Sequence, residues 1–388
     1  MIGLCMLAGT LCLQAYDVRI DGIYYNLDHK NRTAEVTTIF SPWHDTAYSN
    51  LSVADIPSTI TYRRRSYTVT GIGDLAFNGR QHLQKVTLPP TITYIACCAF
   101  CDCSNLSEIT LPKSIRRIGL MAFSRCVSLP TIELPDSLEH IGQEAFADCT
   151  GLRFVRIPKA LKKIETSCFS GCTGMDTLII SEGIEYIGFL AFSQCTGLSS
   201  VTIPGSIKHI GAKAFESAAL TRVSIPQTVY SIDFNIFAGC TNLVSVDVEE
   251  GNPYLCSVDG VLYAKDTTIL IAYPIGRPDT VVAIREGVTI ISRNAFSDCT
   301  ALQTIVLPRC LRSVREEAFS NCPNLTTVVC YSTTPPTCDK NAFDAYTIFP
   351  HLFVPDESVE LYQSAAGWKD AFLCVPMQYL FNCCMPSM

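Results

Sequence analysis

Residues 195–215 read CTGLSSVTIPGSIKHIGAKAF, and this stretch contains the pattern that organises most of the chain. A leucine comes first, two further apolar positions lead to Ile-Pro, and Ile-Gly and Ala-Phe follow. A spacing of 23 residues separates the phenylalanines Phe77, Phe100, Phe123, Phe146, Phe169, Phe192 and Phe215. Phe237 follows after 22 residues, and the series continues with Phe296, Phe319 and Phe343. Repetition at this spacing indicates a molecule built from stacked copies of one short unit.

Within a repeat, apolar and polar residues alternate over short segments. Val155 and Ile157 alternate with Phe154 and Arg156, and this period of two predicts a strand with one buried face, which Pro158 ends. Leu-x-x-Val-x-Ile spacing in a repeat of roughly 20–29 residues is typical of leucine-rich repeats. The sequence therefore predicts a β-rich solenoid, a right-handed coil of leucine-rich repeats with one strand per repeat in a long parallel sheet.

Two places break the regular pattern. Phe237 and Phe296 are separated by 59 residues, and in a neighbouring repeat Ala218 stands where other repeats have cysteine. Asp259-Gly260 between alternating apolar residues predicts a β-hairpin inserted among the repeats. Near the C-terminus, a strand and a short helix are predicted, with Asp356 as the N-cap of the helix. The predicted segments are a signal peptide (1–15), a β-rich N-terminal cap (16–70), leucine-rich repeats (71–248), a β-hairpin insertion (249–280), further repeats (281–345) and a C-terminal cap (346–388).

The composition and the first residues predict an exported protein. The chain is 48% hydrophobic and carries a net charge of −7, so it lacks the basic surface that nucleic-acid binding requires. Residues 1–15 form an apolar run that ends in a small residue, as secretory signals do, although the usual Lys or Arg is missing. A buried N-terminal strand is the alternative. No other stretch approaches the ~18 apolar residues of a transmembrane helix.

Many of the 21 cysteines occupy a single position of the repeat, three residues after the phenylalanine. These are Cys103, Cys126, Cys149, Cys172, Cys195, Cys240, Cys299 and Cys322. Neighbouring strands lie ~4.8 Å apart, which is wider than the ~3.8 Å between the Cβ atoms of a disulfide. We therefore interpret these residues as a reduced, buried cysteine ladder whose thiols bond backbone groups of the next repeat.

The remaining cysteines leave alternatives open. Cys97, Cys98, Cys101 and Cys103 include the C-x-x-C spacing of half a zinc site, but no second half is present, and a dithiol or disulfide is the other reading. Further pairings are possible for Cys330 with Cys338, and for Cys374 with Cys383 or Cys384. We predict no metal, no cofactor and no catalytic residues, because motifs such as G-x-S-x-G or H-E-x-x-H do not occur.

The repeat motif is specific enough to indicate a family. Ile-Gly-x-x-Ala-Phe-x-x-Cys at 141–149, together with Leu-x-x-Val-x-Ile-Pro at 198–204, resembles the BspA-like leucine-rich repeat of bacterial surface proteins. The flanking sequences at 15–27, 333–343 and 352–372 are similar to those of such proteins from gut and oral anaerobes. The resemblance implies a surface or secreted adhesin that binds host extracellular-matrix proteins or other bacterial surface proteins. We also predict that the protein is a monomer.

The exposed face of the predicted sheet is the expected binding surface, as in other curved solenoids. Most of its residues are Thr, Ser or charged, and Phe154, Arg156 and Ile179 stand out because an aromatic ring beside an arginine is a common interface anchor. The predicted ligand-binding residues are Phe154, Arg156, Ile179, Glu133 and Arg222. The alternative is that Phe154 merely covers its neighbours.

The sequence thus favours a non-enzymatic adhesion or protein-binding module. The alternative function is glycan or nutrient capture, or a structural surface role. A row of exposed aromatic residues would favour glycan binding, and the first strand of the repeats lacks one. An enzyme would need polar residues that converge from the insertion. Residues on the second extended segment of the repeat, namely Tyr94, Arg117, His140, Lys163, Tyr186 and His209, are interpreted as solvated strand residues.

Overall fold

The computed structural model describes residues 16–39, 48–339, 341–343, 350–369 and 371–380. The chain forms two compact units, Met1–Ala160 and Leu161–Met388. The predicted signal peptide at 1–15, together with Cys383 and Cys384, lies outside the described residues.

Each repeat contains a turn at the Ala-Phe pair, and these turns are hydrogen-bonded to one another although they contain no strand. In the first unit the N–H of Phe100 donates to the carbonyl of Ala122 at 2.8 Å. Two residues before and two residues after this phenylalanine, the N–H groups of Cys98 and Asp102 donate to the following repeat at 2.9 Å each. Both residues adopt left-handed φ values, 52° for Cys98 and 58° for Asp102. Successive turns are thus held in register by backbone hydrogen bonds.

The phenylalanine rings lie above one another in the core of each unit. The ring centroids of Phe77 and Phe100 are 5.3 Å apart with an interplanar angle of 6°, and those of Phe100 and Phe123 are 5.2 Å apart at 13°. In the second unit, Phe169 and Phe192 are 5.7 Å apart at 6°. All these rings are fully buried. Each stacked pair contributes about 0.5–1.5 kcal/mol beyond the burial of its apolar area.

The cysteine ladder lies beside this ring stack. The thiol of Cys149 donates to the carbonyl of Phe123 at 3.1 Å, and that of Cys195 donates to Phe169 at 3.3 Å. The ladder cysteines Cys149 and Cys195 carry thiols and are not joined in disulfides. Burial raises the pKa of Cys149 and of Cys195 to about 12. The predicted direction of the bond was wrong, because each thiol caps a carbonyl of the preceding repeat and not of the next one.

The first unit combines antiparallel strands at its N-terminal end with parallel strands in its repeats. Its strands are β1 (Val18–Ile20), β2 (Ile23–Asp28), β3 (Thr33–Thr37), β4 (Val53–Asp55), β5 (Thr59–Tyr62), β6 (Arg65–Ile72), β7 (Lys85–Thr87), β8 (Tyr94–Ile95), β9 (Glu108–Ile109), β10 (Arg117–Ile118), β11 (His140–Ile141) and β12 (Phe154–Ile157). Strands β1, β2 and β3 form an antiparallel meander, and β5 pairs with β6 as a hairpin. Strands β3, β6, β8, β10 and β11 pair in parallel in one sheet, and β4, β7 and β9 do so in another.

The second unit repeats this arrangement and contains the one α-helix of the described residues. Its elements are β13 (Lys163–Ile164), β14 (Thr177–Ile180), β15 (Tyr186–Ile187), β16 (His209–Ile210), β17 (Arg222–Ile225), β18 (Ser231–Ile232), β19 (Ser245–Val248), β20 (Leu255–Val258), β21 (Val261–Ala264), β22 (Ile269–Ala272), β23 (Val281–Ala283), β24 (Ile290–Ile291), β25 (Thr304–Leu307), β26 (Ser313–Val314), β27 (Thr327–Cys330), β28 (Thr337–Cys338), β29 (His351–Val354), α1 (Val359–Ser364) and β30 (Leu373–Pro376), with 3-10 turns at Asp356–Ser358 and Met377–Tyr379. Parallel sheets run β13-β15-β16-β18, β17-β19 and β23-β25-β27-β29-β30.

The predicted fold class, a leucine-rich repeat solenoid with parallel sheets, is confirmed. The pairing itself is divided between two sets of strands. We call the first extended segment of each repeat the first strand and the second segment the second strand. First strands, such as β7 and β9, pair with first strands, and second strands, such as β8 and β10, pair with second strands. The parallel pairing therefore forms more than one sheet within each unit.

The insertion is built into the row of second strands. Strands β20 and β21 pair antiparallel around Asp259 and Gly260, and β22 pairs antiparallel with β21 and parallel with β24. Tyr273 then takes the phenylalanine position of the repeat. Its ring lies 4.8 Å from that of Phe296, and its N–H donates to Ala295 at 2.8 Å. The spacing of 23 residues between Tyr273 and Phe296 matches the repeat, so it indicates in the sequence that Tyr273 occupies the phenylalanine position.

The C-terminal end of the ring stack is covered by aromatic residues that follow α1. The ring of Phe343 contacts Phe372 at 4.7 Å and the fully buried Trp368 at 5.6 Å. The indole N–H of Trp368 donates to the carbonyl of Pro336 at 2.8 Å. The predicted N-cap role of Asp356 was wrong. This residue begins a 3-10 turn ahead of α1, and its carboxylate accepts the N–H of Gln378 at 3.2 Å.

We expect Phe192→Ala to lower the free energy of unfolding by about 3–5 kcal/mol, because it removes a buried ring from the middle of a stack. Phe189→Ala is the matched control, since Phe189 is 45% exposed only three residues away, and its cost should stay within about 0.5 kcal/mol. Urea denaturation followed by circular dichroism measures both. Equal losses in the two variants would contradict the role assigned to the stack.

We also expect the ladder thiols to resist alkylation in the folded protein. Iodoacetamide at pH 8 should label the partly exposed Cys97 and leave Cys149 and Cys195 unmodified, because burial disfavours their thiolates. In urea without reductant, all three should react. Peptide mapping by mass spectrometry reads out each site, and disulfide-linked ladder peptides would refute the assignment.

Candidate functional site

The first strands of the first unit present an exposed face with a clear alternation. In β12 the side chains of Val155 and Ile157 are buried, whereas Phe154 and Arg156 are exposed. The following Pro158 cannot donate a backbone hydrogen bond, which ends the strand. The ring of Phe154 is 39% exposed, a high value for an aromatic side chain on a strand. The local sequence thus places an apolar ring and a guanidinium side by side in solvent.

Phe154 and Arg156 border a groove of about 890 Å³ in this unit. Its other border includes Glu133, and its floor is formed by the buried side chains of Leu111 and Leu134. The structure therefore brings Phe154, Arg156 and Glu133 together. We call this feature the Phe154 groove. Its size falls within the range of roughly 300–1,000 Å³ that is usual for ligand pockets.

Strand pairing is sparse at the groove. Pro130 directly precedes the first-strand position of the repeat before β12, and it has no N–H to donate to the repeat before its own. A single parallel bridge, between Thr131 and Phe154, joins this repeat to β12. The carbonyl of Pro130 accepts the N–H of Arg153 at 3.1 Å. In this repeat the first strand is reduced to the isolated bridge at Thr131.

An ion pair orients the guanidinium at the border of the groove. Arg156 Nη1 lies 3.2 Å from Asp136 Oδ1, and both side chains are about half exposed, at 46% and 50%. An exposed pair of this kind contributes at most about 1 kcal/mol to stability. Its main effect is to hold Arg156 over the groove. Sequence reasoning missed Asp136, although the residue follows a Leu-Pro pair that occupies a fixed repeat position.

The other two predicted ligand-binding residues belong to the second unit. Ile179 is exposed on β14, where it makes a parallel bridge with Thr202, and 45% of its surface is accessible. Arg222 lies on β17 with its Nη1 3.9 Å from Asp247 Oδ2 on β19. Both residues lie on the exposed face of first strands, and neither borders the Phe154 groove.

The insertion does bring polar side chains together, in a cleft of about 490 Å³ in the second unit. The carboxylate of Asp279 accepts the hydroxyl of Tyr273 at 2.6 Å and the Nε–H of Arg277 at 2.7 Å. The hydrogen bond from Tyr273 lowers the pKa of Asp279, and burial raises the pKa of Tyr273. Arg277 also donates to the carbonyl of Asp259 at 2.6 Å. The members of this network bond one another, and the network fixes the insertion against the repeats.

Among the cysteines near the first repeats, Cys98 lies against both Cys97 and Cys101, whereas Cys103 belongs to the ladder and bonds elsewhere. The sulfurs of Cys97 and Cys98 lie 3.5 Å apart, Cys101 points to the carboxylate of Asp102 at 3.5 Å, and Cys103 bonds the carbonyl of Phe77 at 3.0 Å. In the described part of the chain, no group of three or more His, Cys, Asp or Glu side chains is arranged to hold a metal ion. Cys330, Cys338 and Cys374 are all free thiols.

Sequence reasoning also missed a set of exposed aromatic side chains in the second unit. Tyr186, Tyr230 and Tyr254 are 37%, 46% and 56% exposed. Tyr186 begins the second strand of its repeat, where the sequence predicts a solvated residue, and Tyr230 directly precedes the second strand of its own repeat. The signal in the sequence is the presence of tyrosines at or next to the start of the second strands, at 186 and 230.

No helix that the structure describes has the length and apolarity to cross a bilayer.

Comparison with known proteins identifies the repeat. The model of the "BspA type Leucine rich repeat region (6 copies)" matches residues 47–176, 162–257 and 280–366, which together make up more than half of the chain. No curated protein gives a significant match.

Two crystal structures of bacterial proteins are similar over nearly the full length. A leucine-rich cell surface protein from Faecalibacterium prausnitzii shares 25% identity with a TM-score of 0.63, and the alignment covers 92% of this chain and 94% of that one. A leucine-rich repeat protein from Bacteroides ovatus shares 23% identity with a TM-score of 0.62, covering 93% and 100%.

Proposed function

Because the chain belongs to the BspA-type leucine-rich repeat family, we propose that it is an exported adhesin of the cell surface that binds a protein partner through the exposed face of its first strands. Repeats of this family form modules for protein interaction, and the similar protein from Faecalibacterium prausnitzii is described as a cell surface protein. The observation that carries the proposal is the Phe154 groove.

The groove has the composition of an interface centre. Aromatic rings and arginines are enriched among the residues that dominate binding energy, and they act best beside an apolar, water-excluding floor. Phe154 supplies the ring, Arg156 supplies the guanidinium, and Leu111 and Leu134 supply the floor. Glu133 adds a carboxylate at the border, where charge contributes more to specificity than to affinity.

The groove is also rigid before a partner arrives. Phe154 and Arg156 lie on a strand whose alternate side chains, Val155 and Ile157, are fully buried. Because the backbone is fixed, a partner loses little free energy in ordering these anchors. We infer that the partner is an extracellular-matrix protein or a surface protein of another bacterium, since those are the proteins that a surface-exposed adhesin meets.

We expect the double variant Phe154→Ala with Arg156→Ala to bind its partner at least about tenfold more weakly, because truncation of two central anchors typically costs more than about 1 kcal/mol each. Biosensor titration of the full chain against a panel of purified extracellular-matrix proteins measures the affinity. The midpoint of thermal unfolding should change by only a few degrees, because both side chains are exposed.

The matched control is Leu361→Ala with Lys369→Ala, which removes one exposed apolar and one cationic side chain from the C-terminal region. This variant should bind like the wild type. Unchanged binding by the Phe154 and Arg156 variant, or equal losses in both variants, would refute the assignment of the groove.

Export is tested at the apolar run of residues 1–15. Leu7→Arg with Leu11→Arg should retain the chain in the cytoplasm of an expressing bacterium, because two charges destroy the apolar core that a secretory signal needs. Ile2→Lys adds a charge where signals carry one and should leave export intact. Cell fractionation followed by immunoblotting reads out both variants, and export of the double arginine variant would contradict the signal.

A further inference from the structure

A row of aromatic rings crosses the second strands of the second unit, and its three tyrosines are exposed. We call Tyr186, His209, Tyr230 and Tyr254 the tyrosine strip. The rings of Tyr186 and His209 are 6.0 Å apart, the hydroxyls of Tyr186 and Tyr230 are 3.5 Å apart, and the rings of Tyr230 and Tyr254 are 6.3 Å apart. Tyr186 therefore contacts both His209 and Tyr230, Tyr230 contacts Tyr254, and the row spans several repeats at ~4.8 Å per strand.

The backbone holds these rings in line. Strands β15, β16 and β18 pair in parallel, which aligns Tyr186 with His209, and the N–H of Tyr230 donates to the carbonyl of Lys208 at 3.0 Å. Neighbouring repeats thus fix three of the four rings of the strip. Their spacing follows from the repeat and not from flexible side-chain contacts.

The fourth ring, that of Tyr254, is positioned by a buried amide. Asn252 is fully buried, and its Nδ2 donates to the carbonyls of Pro226 and Val229 at 3.0 Å each. Its Oδ1 accepts the N–H of Tyr254 at 2.9 Å. Asn252 therefore ties the start of the insertion to the preceding repeat and places Tyr254 beside Tyr230.

The charged side chains beside the strip pair with one another. Lys208 Nζ lies 2.8 Å from Glu185 Oε2, and His209 Nε2 lies 3.4 Å from Asp233 Oδ2. The hydrogen bond from Lys208 lowers the pKa of Glu185, so this carboxylate is ionised and matched at neutral pH. The strip thus offers ring faces, hydroxyls and carboxylates beside the ion pair of Lys208 and Glu185.

These features fit an uncharged, polyhydroxylated ligand. The negative face of an aromatic ring attracts the weakly positive C–H faces of a sugar ring, while hydroxyls and carboxylates bond the sugar hydroxyls. We propose that the tyrosine strip binds a neutral oligosaccharide laid across the second strands, with Tyr230 and Tyr254 as its stacking platform. This site is distinct from the Phe154 groove and does not depend on the proposed protein binding.

The hydroxyl pair at the centre of the strip supplies hydrogen bonds as well as stacking. The hydrogen bond between Tyr186 and Tyr230 raises the pKa of Tyr230, so its hydroxyl keeps its proton at neutral pH. The carboxylates of Glu185 and Asp233 beside the strip accept hydroxyl groups of the ligand in addition to their contacts with Lys208 and His209. Stacking gives the affinity, and these polar groups give the preference among sugars.

The full chain is titrated by calorimetry with maltohexaose, cellohexaose, xylohexaose and chitohexaose. We expect at least one of these neutral oligosaccharides to bind and Tyr230→Ala with Tyr254→Ala to weaken it about tenfold or more, because two stacking rings are lost. Tyr230→Phe with Tyr254→Phe keeps both rings and should lose much less. Thermal unfolding confirms that the variants fold, since the tyrosines are exposed.

The control is the Phe154→Ala with Arg156→Ala variant, which should bind the oligosaccharide like the wild type. Absence of binding to all four probes would overturn the proposal, and so would undiminished binding by the Tyr230→Ala with Tyr254→Ala variant. Loss of a matrix-protein partner in that variant, without any oligosaccharide binding, would assign the strip to a protein instead. If the Phe154→Ala with Arg156→Ala variant binds its protein partner normally, the proposed protein site is refuted. The oligosaccharide titrations still decide the proposal for the tyrosine strip.

Discussion

The contact between successive Ala-Phe turns is the constraint on which the rest of each unit depends. At this point the N–H of one phenylalanine donates to the alanine carbonyl of the next repeat, and the two rings stack about 5 Å apart. The carbonyl of the phenylalanine is then capped by a cysteine thiol from the following repeat. Backbone, ring and thiol all require the same register, so a repeat that slipped by one residue would lose all three contacts together.

This constraint also explains how so many short strands are tolerated. Second strands such as β8 and β10 contain only two residues, too few to be stable by themselves. They form because the turns place their backbones side by side, and stacking then buries a core shared between neighbours. Tyr273 shows that the constraint applies to the ring and not to the residue type, since a tyrosine continues the stack next to the insertion.

The sequence was sufficient to predict the fold class because the spacing of 23 residues reports directly on the stacked turns. It did not predict the left-handed residues of those turns, such as Leu190 and Lys213, whose φ values of 55° and 56° are unfavourable for a residue with a Cβ atom. Hydrogen bonds between repeats impose that conformation. The conformational propensity of a short segment cannot predict bonds to another repeat. Asp356 was misassigned for a related reason: its carboxylate bonds Gln378, a partner 22 residues away that the local helix signal cannot reveal.

The candidate sites were predictable only where they break the repeat. Phe154 could be recognised because Thr, Ser and charged residues fill the equivalent positions on most other first strands. The groove beside it could not, because it depends on the first strand one repeat earlier being reduced to a single bridge and on Asp136 reaching Arg156. The tyrosine strip was overlooked because its residues lie at unequal spacings, with 44 residues from Tyr186 to Tyr230 and 24 from there to Tyr254. Only the buried Asn252 brings the last ring into line. In this repeat fold, the candidate binding surfaces therefore lie where the sequence departs from the repeat. Those positions can be recognised once the register between repeats is known.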